Sequence, residues 1–262
     1  MRDFADRIKR LLVGRPVPSG ALGETLLPKR IALPVFASDA LSSVGYAPDE
    51  VLITLAVAGV AATSLSPWVA LAVVGVLAVV VASYRQTVHA YPSGGGDYEV
   101  VSANLGSHAG LLVASALLSD YVLTVAVSVS SGTSYLAAAL PALVPYKVEI
   151  AVAVVTVLAV LNMRGSRESG RAFAIPTYLY MGVIGIMAVV GLVQELTGTL
   201  GRAESAGFDV VTHAGWEQGL TGLAGGFLVL RAFSSGCAAL TGVEAISNGV
   251  PSFQRPKSRN AA

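Results

Sequence analysis

Long apolar runs alternate with short polar ones along this chain. A membrane-spanning helix needs about 20 mostly apolar residues, and six stretches meet that measure: 31–60, 67–90, 109–139, 147–164, 172–197 and 220–250. They predict an all-α integral membrane domain over 31–250, with a cytoplasmic N-terminal segment at 1–30 and a cytoplasmic stub at 251–262. The stretches are unequal. Those at 31–60, 109–139 and 220–250 exceed what a span requires, and the first and last also contain helix-breaking residues.

Composition supports this reading. Only 13% of the 262 residues are charged, about half the ~25% of a soluble domain. Lysine and arginine are distributed unevenly. With the N-terminus inside, fourteen fall on the cytoplasmic side: Arg2, Arg7, Lys9, Arg10, Arg15, Lys29, Arg30, Arg85, Arg164, Arg167, Arg171, Arg255, Lys257 and Arg259. Two fall outside, Lys147 and Arg202, and Arg231 lies within a span. This positive-inside bias predicts a multi-pass cell-membrane protein with a cytoplasmic N-terminus and an even number of crossings. Residues 3–13 place Phe4, Ile8, Leu11 and Leu12 on one face. They read either as a helix lying on the membrane surface or as a solvated basic tail. The first apolar stretch is too long for a cleavable signal peptide. A net charge of +1 without a basic patch gives no reason to expect nucleic acid, and the single cysteine, Cys237, excludes a disulfide scaffold.

Polar groups inside apolar spans are costly, so each is a candidate for function. In the first span Asp39 sits about nine residues deep, and Gly45 and Pro48 weaken the helix just beyond it. A break there is expected to free backbone carbonyls and amides near Asp39. The structural alternative is a kinked helix with a paired aspartate. The sixth span has a matching feature, since Ser234 to Glu244 is small, polar and glycine-interrupted, and Glu244 is a second acid at depth. Breaks in the first and sixth spans are expected when a substrate site lies between inverted repeats. The third span places Tyr121, Thr124 and Ser128 on one helix face, continued by Ser131 and Tyr135. Such hydroxyls also serve simply to join neighbouring helices. Asp120 either points into the bundle or pairs with Arg231, and Arg231 either neutralises an acid or belongs to the external side.

Two carboxylates, several hydroxyls and freed carbonyls form a hard-oxygen surrounding for a cation. Soft ligands are nearly absent, which argues against a transition metal. A carboxylate in an apolar surrounding disfavours its charged form, so exchange of a proton for the ion at Asp39 or Glu244 is the expected coupling. No nucleophile–base pair can be assembled, and Gly94-Gly95-Gly96 lacks the Lys-Ser/Thr of a phosphate loop. Neither enzyme activity nor a cofactor is expected. The expected partners are membrane lipid, a small cation and, as an open alternative, a second copy of the chain as a homodimer.

Pro92-Ser-Gly-Gly-Gly-Asp-Tyr98 resembles the P-x-x-G-G-x-Y signature of the amino acid–polyamine–cation (APC) superfamily, and Asn162-Met-Arg-Gly165 through Glu168-Ser-Gly170 resembles its loop between spans four and five. Ser38-Asp39-Ala-Leu-Ser-Ser-Val-Gly-Tyr46 and Thr241-Gly-Val-Glu244 are similar to the KUP/KimA-type potassium importers. The resemblance implies a LeuT-type fold of inverted repeats with broken helices 1 and 6, and proton-coupled potassium uptake. It places the ion site at Asp39, Tyr46, Tyr121, Thr124, Ser128, Thr241 and Glu244. Amino acid permeases of the superfamily tend instead to carry a glycine-serine motif in the first span, where Asp39 would repel a substrate carboxylate; an amino acid permease is therefore the alternative. A non-transporting membrane fragment or subunit is the other. The family normally has about twelve spans, so the resemblance implies a chain that is incomplete after the sixth.

Overall fold

The computed structural model describes residues 26–94, 96–163, 166–202 and 222–262. The surface-helix reading of 3–13, the Arg164-Gly165 pair and most of the expected external loop at 199–219 lie outside these described residues.

Apolar backbone in lipid must satisfy its own amides and carbonyls, and a helix does so within one segment. The described residues fold accordingly. The first apolar stretch forms α1 (Lys29–Phe36) and α2 (Ser38–Ala56), and a helical turn at Val60–Thr63 leads into α3 (Ser66–Ala90). A short helix α4 (Gly96–Leu105) precedes α5 (Ser107–Ala139), α6 (Lys147–Met163), α7 (Ser166–Thr197) and α8 (Gly222–Gly236). After a 3-10 turn at Cys237–Leu240 comes α9 (Val243–Asn248).

Among the described residues, five segments are long and apolar enough to cross a membrane: Val60–Ala90, Ser107–Ala139, Pro141–Met163, Ala172–Thr197 and Gly222–Asn248. Their outward faces are apolar. Leu112 is 75% exposed and Leu223 85%, exposure that only lipid would make favourable along whole helices. The chain is a multi-pass membrane protein.

The first stretch is not among the five because α2, though 19 residues long, carries Asp39, Asp49 and Glu50; the stretch is also interrupted. The interruption falls at Ala37, before Asp39, and not at Gly45–Pro48 as the sequence suggests. Ala37 keeps a near-helical geometry (φ −94°, ψ −9°), and its amide still bonds to the Leu33 carbonyl at 2.8 Å. The interruption is therefore a bend. Helix α2 runs through Pro48, where the missing N–H removes one backbone bond and the helix continues on either side. The sixth stretch is broken as expected, at 237–242.

Two compact units partition the chain. One comprises Met1–Tyr46, Val79–Ala174 and Leu240–Ala262; the other comprises Ala47–Ala78 and Ile175–Ala239. The second is held by Val51, Leu55, Ala58, Ala62, Val69, Leu228 and Ala232, small and branched side chains that let helices approach closely. In the first, Leu27, Ala32 and Phe253 form a core with Ile31, Val35, Phe36 and Ile246. There Leu27 pairs with Phe253 through a parallel backbone bridge, and the Phe36 and Phe253 rings stack with centroids 5.3 Å apart.

Candidate functional site

All seven residues singled out for the ion site fall in the first unit. On α2, Asp39, Ser43 and Tyr46 stand at i, i+4 and i+7, so one helix face carries all three. Tyr46 donates to the Ser43 hydroxyl at 3.2 Å, and Ser43 shares a 2.7 Å hydrogen bond with Thr241. Ser42 donates to the Asp39 carbonyl at 2.8 Å and lies 3.2 Å from the Ser128 hydroxyl. Through Ser42 and Ser43, α2 is thus bonded both to α5 and to the break before α9.

The break is shaped by Gly242. Its φ of 83° lies in the left-handed region, which turns the chain from the 3-10 segment into α9. A Cβ there would lie 2.6 Å from the Ala40 amide nitrogen and 2.7 Å from the Asp39 carboxyl carbon. The broken segment therefore rests directly on the backbone and carboxylate of Asp39. One oxygen of that carboxylate, Oδ1, is buried and has no hydrogen-bond partner among the described residues.

Glu244 lies in the first turn of α9 and is only 8% exposed. With Thr241, Asp120, Tyr84 and Asp97 it lines an open pocket of about 340 Å³, walled on its apolar side by Val113, Ala116, Leu117 and Leu240. Asp39, Asp120 and Glu244 stand close enough to repel one another electrostatically. Asp120 belongs to the pocket, the first of its two expected placements.

On α5, Tyr121 accepts a 2.6 Å hydrogen bond from the Asn248 amide, Thr124 is buried, and Ser128 meets Ser42. The stripe stops short of Tyr135, which is 47% exposed. The structure thus brings Tyr46 and Thr241 together through Ser43, Asp39 and Ser128 through Ser42, and Glu244 and Thr241 into one pocket.

Sequence reasoning missed Ser42, Ser43, Tyr84, Asp97 and Asn248 as members of this cluster. Ser42 and Ser43 were visible as helical neighbours of Asp39 and Tyr46. Asn248 was visible as the residue one helical turn after Glu244. Tyr84 and Asp97 carried no such spacing signal, because they meet across the turn between α3 and α4. Tyr84 donates to Asp97 Oδ2 at 2.9 Å. Replacing it with phenylalanine removes the donor from a half-buried carboxylate, at an expected cost of about 1–2 kcal/mol. Thermal unfolding of Tyr84→Phe in detergent checks this, and an unchanged midpoint would show the bond to be energetically idle.

A family model described as amino acid permease matches residues 35–262. The chain is 45% identical over 255 residues to the potassium transporter KimA of Bacillus subtilis (strain 168), an overlap covering 97% of this chain and 41% of that protein. It is 32% identical over 137 residues to the probable potassium transport system protein Kup 1 of Bradyrhizobium sp. (strain ORS 278), covering 52% of this chain and 20% of that protein. The chain therefore spans less than half the length of these curated relatives. The matched region runs from the bend before Asp39 through the Gly242 break and Glu244, and on this match the chain belongs to the amino acid permease family.

Proposed function

We propose that the chain is part of a secondary active transporter in the cell membrane that takes up potassium, with its N-terminus in the cytoplasm. The observation that carries this reading is Asp39 Oδ1, a buried carboxylate oxygen without a hydrogen-bond partner among the described residues. A carboxylate placed in an apolar interior requires a counter-charge. The hydroxyl-bearing Ser42, Tyr46, Ser128 and Thr241 are joined to the Asp39 segment of α2 by hydrogen bonds, and two further carboxylates, Asp120 and Glu244, act on Asp39 electrostatically. Oxygen atoms of this kind replace the hydration shell of a potassium ion. The likeness to the potassium transporter of Bacillus subtilis points the same way. Tyr46, Tyr121, Thr124, Ser128 and Thr241 supply neutral oxygens in this reading, Asp39 supplies the charge, and Glu244 exchanges a proton during the cycle.

Three clustered acids oppose an amino acid substrate, because each repels its carboxylate. Potassium uptake by the protein carrying this chain, expressed in cells without their own potassium importers, tests the reading. Uptake is expected to saturate with potassium and to be unaffected by excess amino acids. Glu244→Gln is expected to retain some uptake while losing most of its dependence on external pH. Amino acid uptake that persists at saturating potassium would establish a permease instead.

A further inference from the structure

We propose that Asn248 is a positioning residue that sets the hydrogen-bond polarity of Tyr121 in the cation site, and that residue 96 is glycine to make room for it. The inference rests on the cation-site reading above and extends it to two residues outside the ion-ligand set.

Asn248 is the last residue of α9, four after Glu244, so the two share a helix face. Its side chain is not needed to finish the helix. The amide of Gly249 already closes the end by bonding to the Ala245 carbonyl at 2.9 Å. Asn248 Nδ2 instead donates to the Tyr121 hydroxyl across 127 positions of sequence, at 2.6 Å.

The direction of that bond has a consequence. A phenol has one proton to donate and lone pairs to accept with. Tyr121 accepts from Asn248, so its own proton is not spent there. It remains available for donation elsewhere in the site. The remaining lone-pair density is available to a cation. Reversing the bond would commit the Tyr121 proton to residue 248 and turn a lone pair of residue 248 toward the hydroxyl. A second interaction holds the amide in place. A Cβ on residue 96 would fall on Asn248 Oδ1, and Gly96 has a φ of 44°, in the left-handed region. Its missing side chain is the space in which the amide oxygen sits. A glycine of the Pro92–Tyr98 signature is thereby linked through Asn248 to the hydroxyl of Tyr121.

A simpler role for Asn248 is to join two helices, as polar side chains in membranes often do. Potassium uptake kinetics in the protein carrying this chain separate the two. Asn248→Leu keeps the approximate volume and removes the donor. It is expected to raise the potassium half-saturation concentration roughly fivefold to tenfold, the effect of one such hydrogen bond, at an unchanged level in the membrane. In a Tyr121→Phe background the same substitution should add nothing, because its target hydroxyl is gone. Gly96→Ala should raise half-saturation in the wild-type background and have little further effect beside Asn248→Ala. An unchanged half-saturation in Asn248→Leu overturns the proposal, as does a full additional effect on top of Tyr121→Phe. Failure of both Asn248→Leu and Asn248→Ala to reach the membrane assigns the residue to folding and also overturns it. Wild-type protein that moves no potassium overturns the cation-site reading itself, and this inference with it.

Discussion

Asp39→Asn is expected to lower potassium affinity by two to three orders of magnitude while leaving the protein at least as stable as the wild type. The two effects have opposite signs for one reason. A unit charge about 4 Å from a cation contributes about 4 kcal/mol at an effective dielectric of about 20, which corresponds to roughly a thousandfold in affinity. Asparagine keeps the shape and loses that attraction. Part of the loss is offset because the neutral amide is easier to desolvate, hence the lower bound of a hundredfold. The unliganded protein experiences the reverse. Asp39 Oδ1 is buried without a hydrogen-bond partner among the described residues and is repelled by Asp120, so neutralising it removes a cost. Growth at limiting potassium and thermal unfolding without potassium read the two effects separately. Uptake within threefold of wild type would remove Asp39 from the ion site. A large fall in the unfolding midpoint would make it a structural residue.

The parts of this site that could be read from the sequence are those encoded by local spacing. Tyr121, Thr124 and Ser128 share a face because helical geometry is fixed, and the break near Thr241-Gly242 is announced by glycine and small residues. The division of the first stretch was anticipated, but its place was not. Gly45 and Pro48 are the residues that weaken a helix, yet the interruption lies at Ala37, which carries no such signature. Pro48 costs one backbone bond, and α2 carries on through it. Partners separated by long stretches of chain were also hidden. Ser43 with Thr241 and Asn248 with Tyr121 depend on which faces of α2, α5 and α9 meet. Nothing in a single sequence specifies that register. Charge gave a similar partial view. Asp39 and Glu244 stand out as acids within apolar runs, whereas Asp97 lies in a loop signature and is drawn into the pocket only by the fold.

Gly242→Ala is expected to be the most destabilising of the substitutions considered, by about 3 kcal/mol or more. Two costs add. An alanine at φ 83° occupies the left-handed region, at a cost of about 1–2 kcal/mol. Its methyl group would also lie 2.6 Å from the Ala40 nitrogen and 2.9 Å from the Asp39 carbonyl carbon. Those are backbone atoms of α2, so relief requires a shift of the helix and not a rotamer change, and overpacking of this kind costs about 1–3 kcal/mol. Which cost dominates can be measured. Asparagine tolerates the left-handed conformation well but still has a Cβ, so Gly242→Asn retains the clash and loses most of the strain. If the clash dominates, Asn should be nearly as damaging as Ala; if the strain dominates, Asn should recover most of the stability. The contact with α2 favours the first outcome. Gly75→Ala is the control, since a Cβ there meets nothing within 4 Å, and it should leave the unfolding midpoint unchanged or slightly raised. A Gly242→Ala protein that unfolds with the wild type would mean that the broken segment does not rest on Asp39. The same shift of α2 would displace the Asp39 carboxylate, so any folded Gly242→Ala protein should also bind potassium more weakly than its stability alone would suggest.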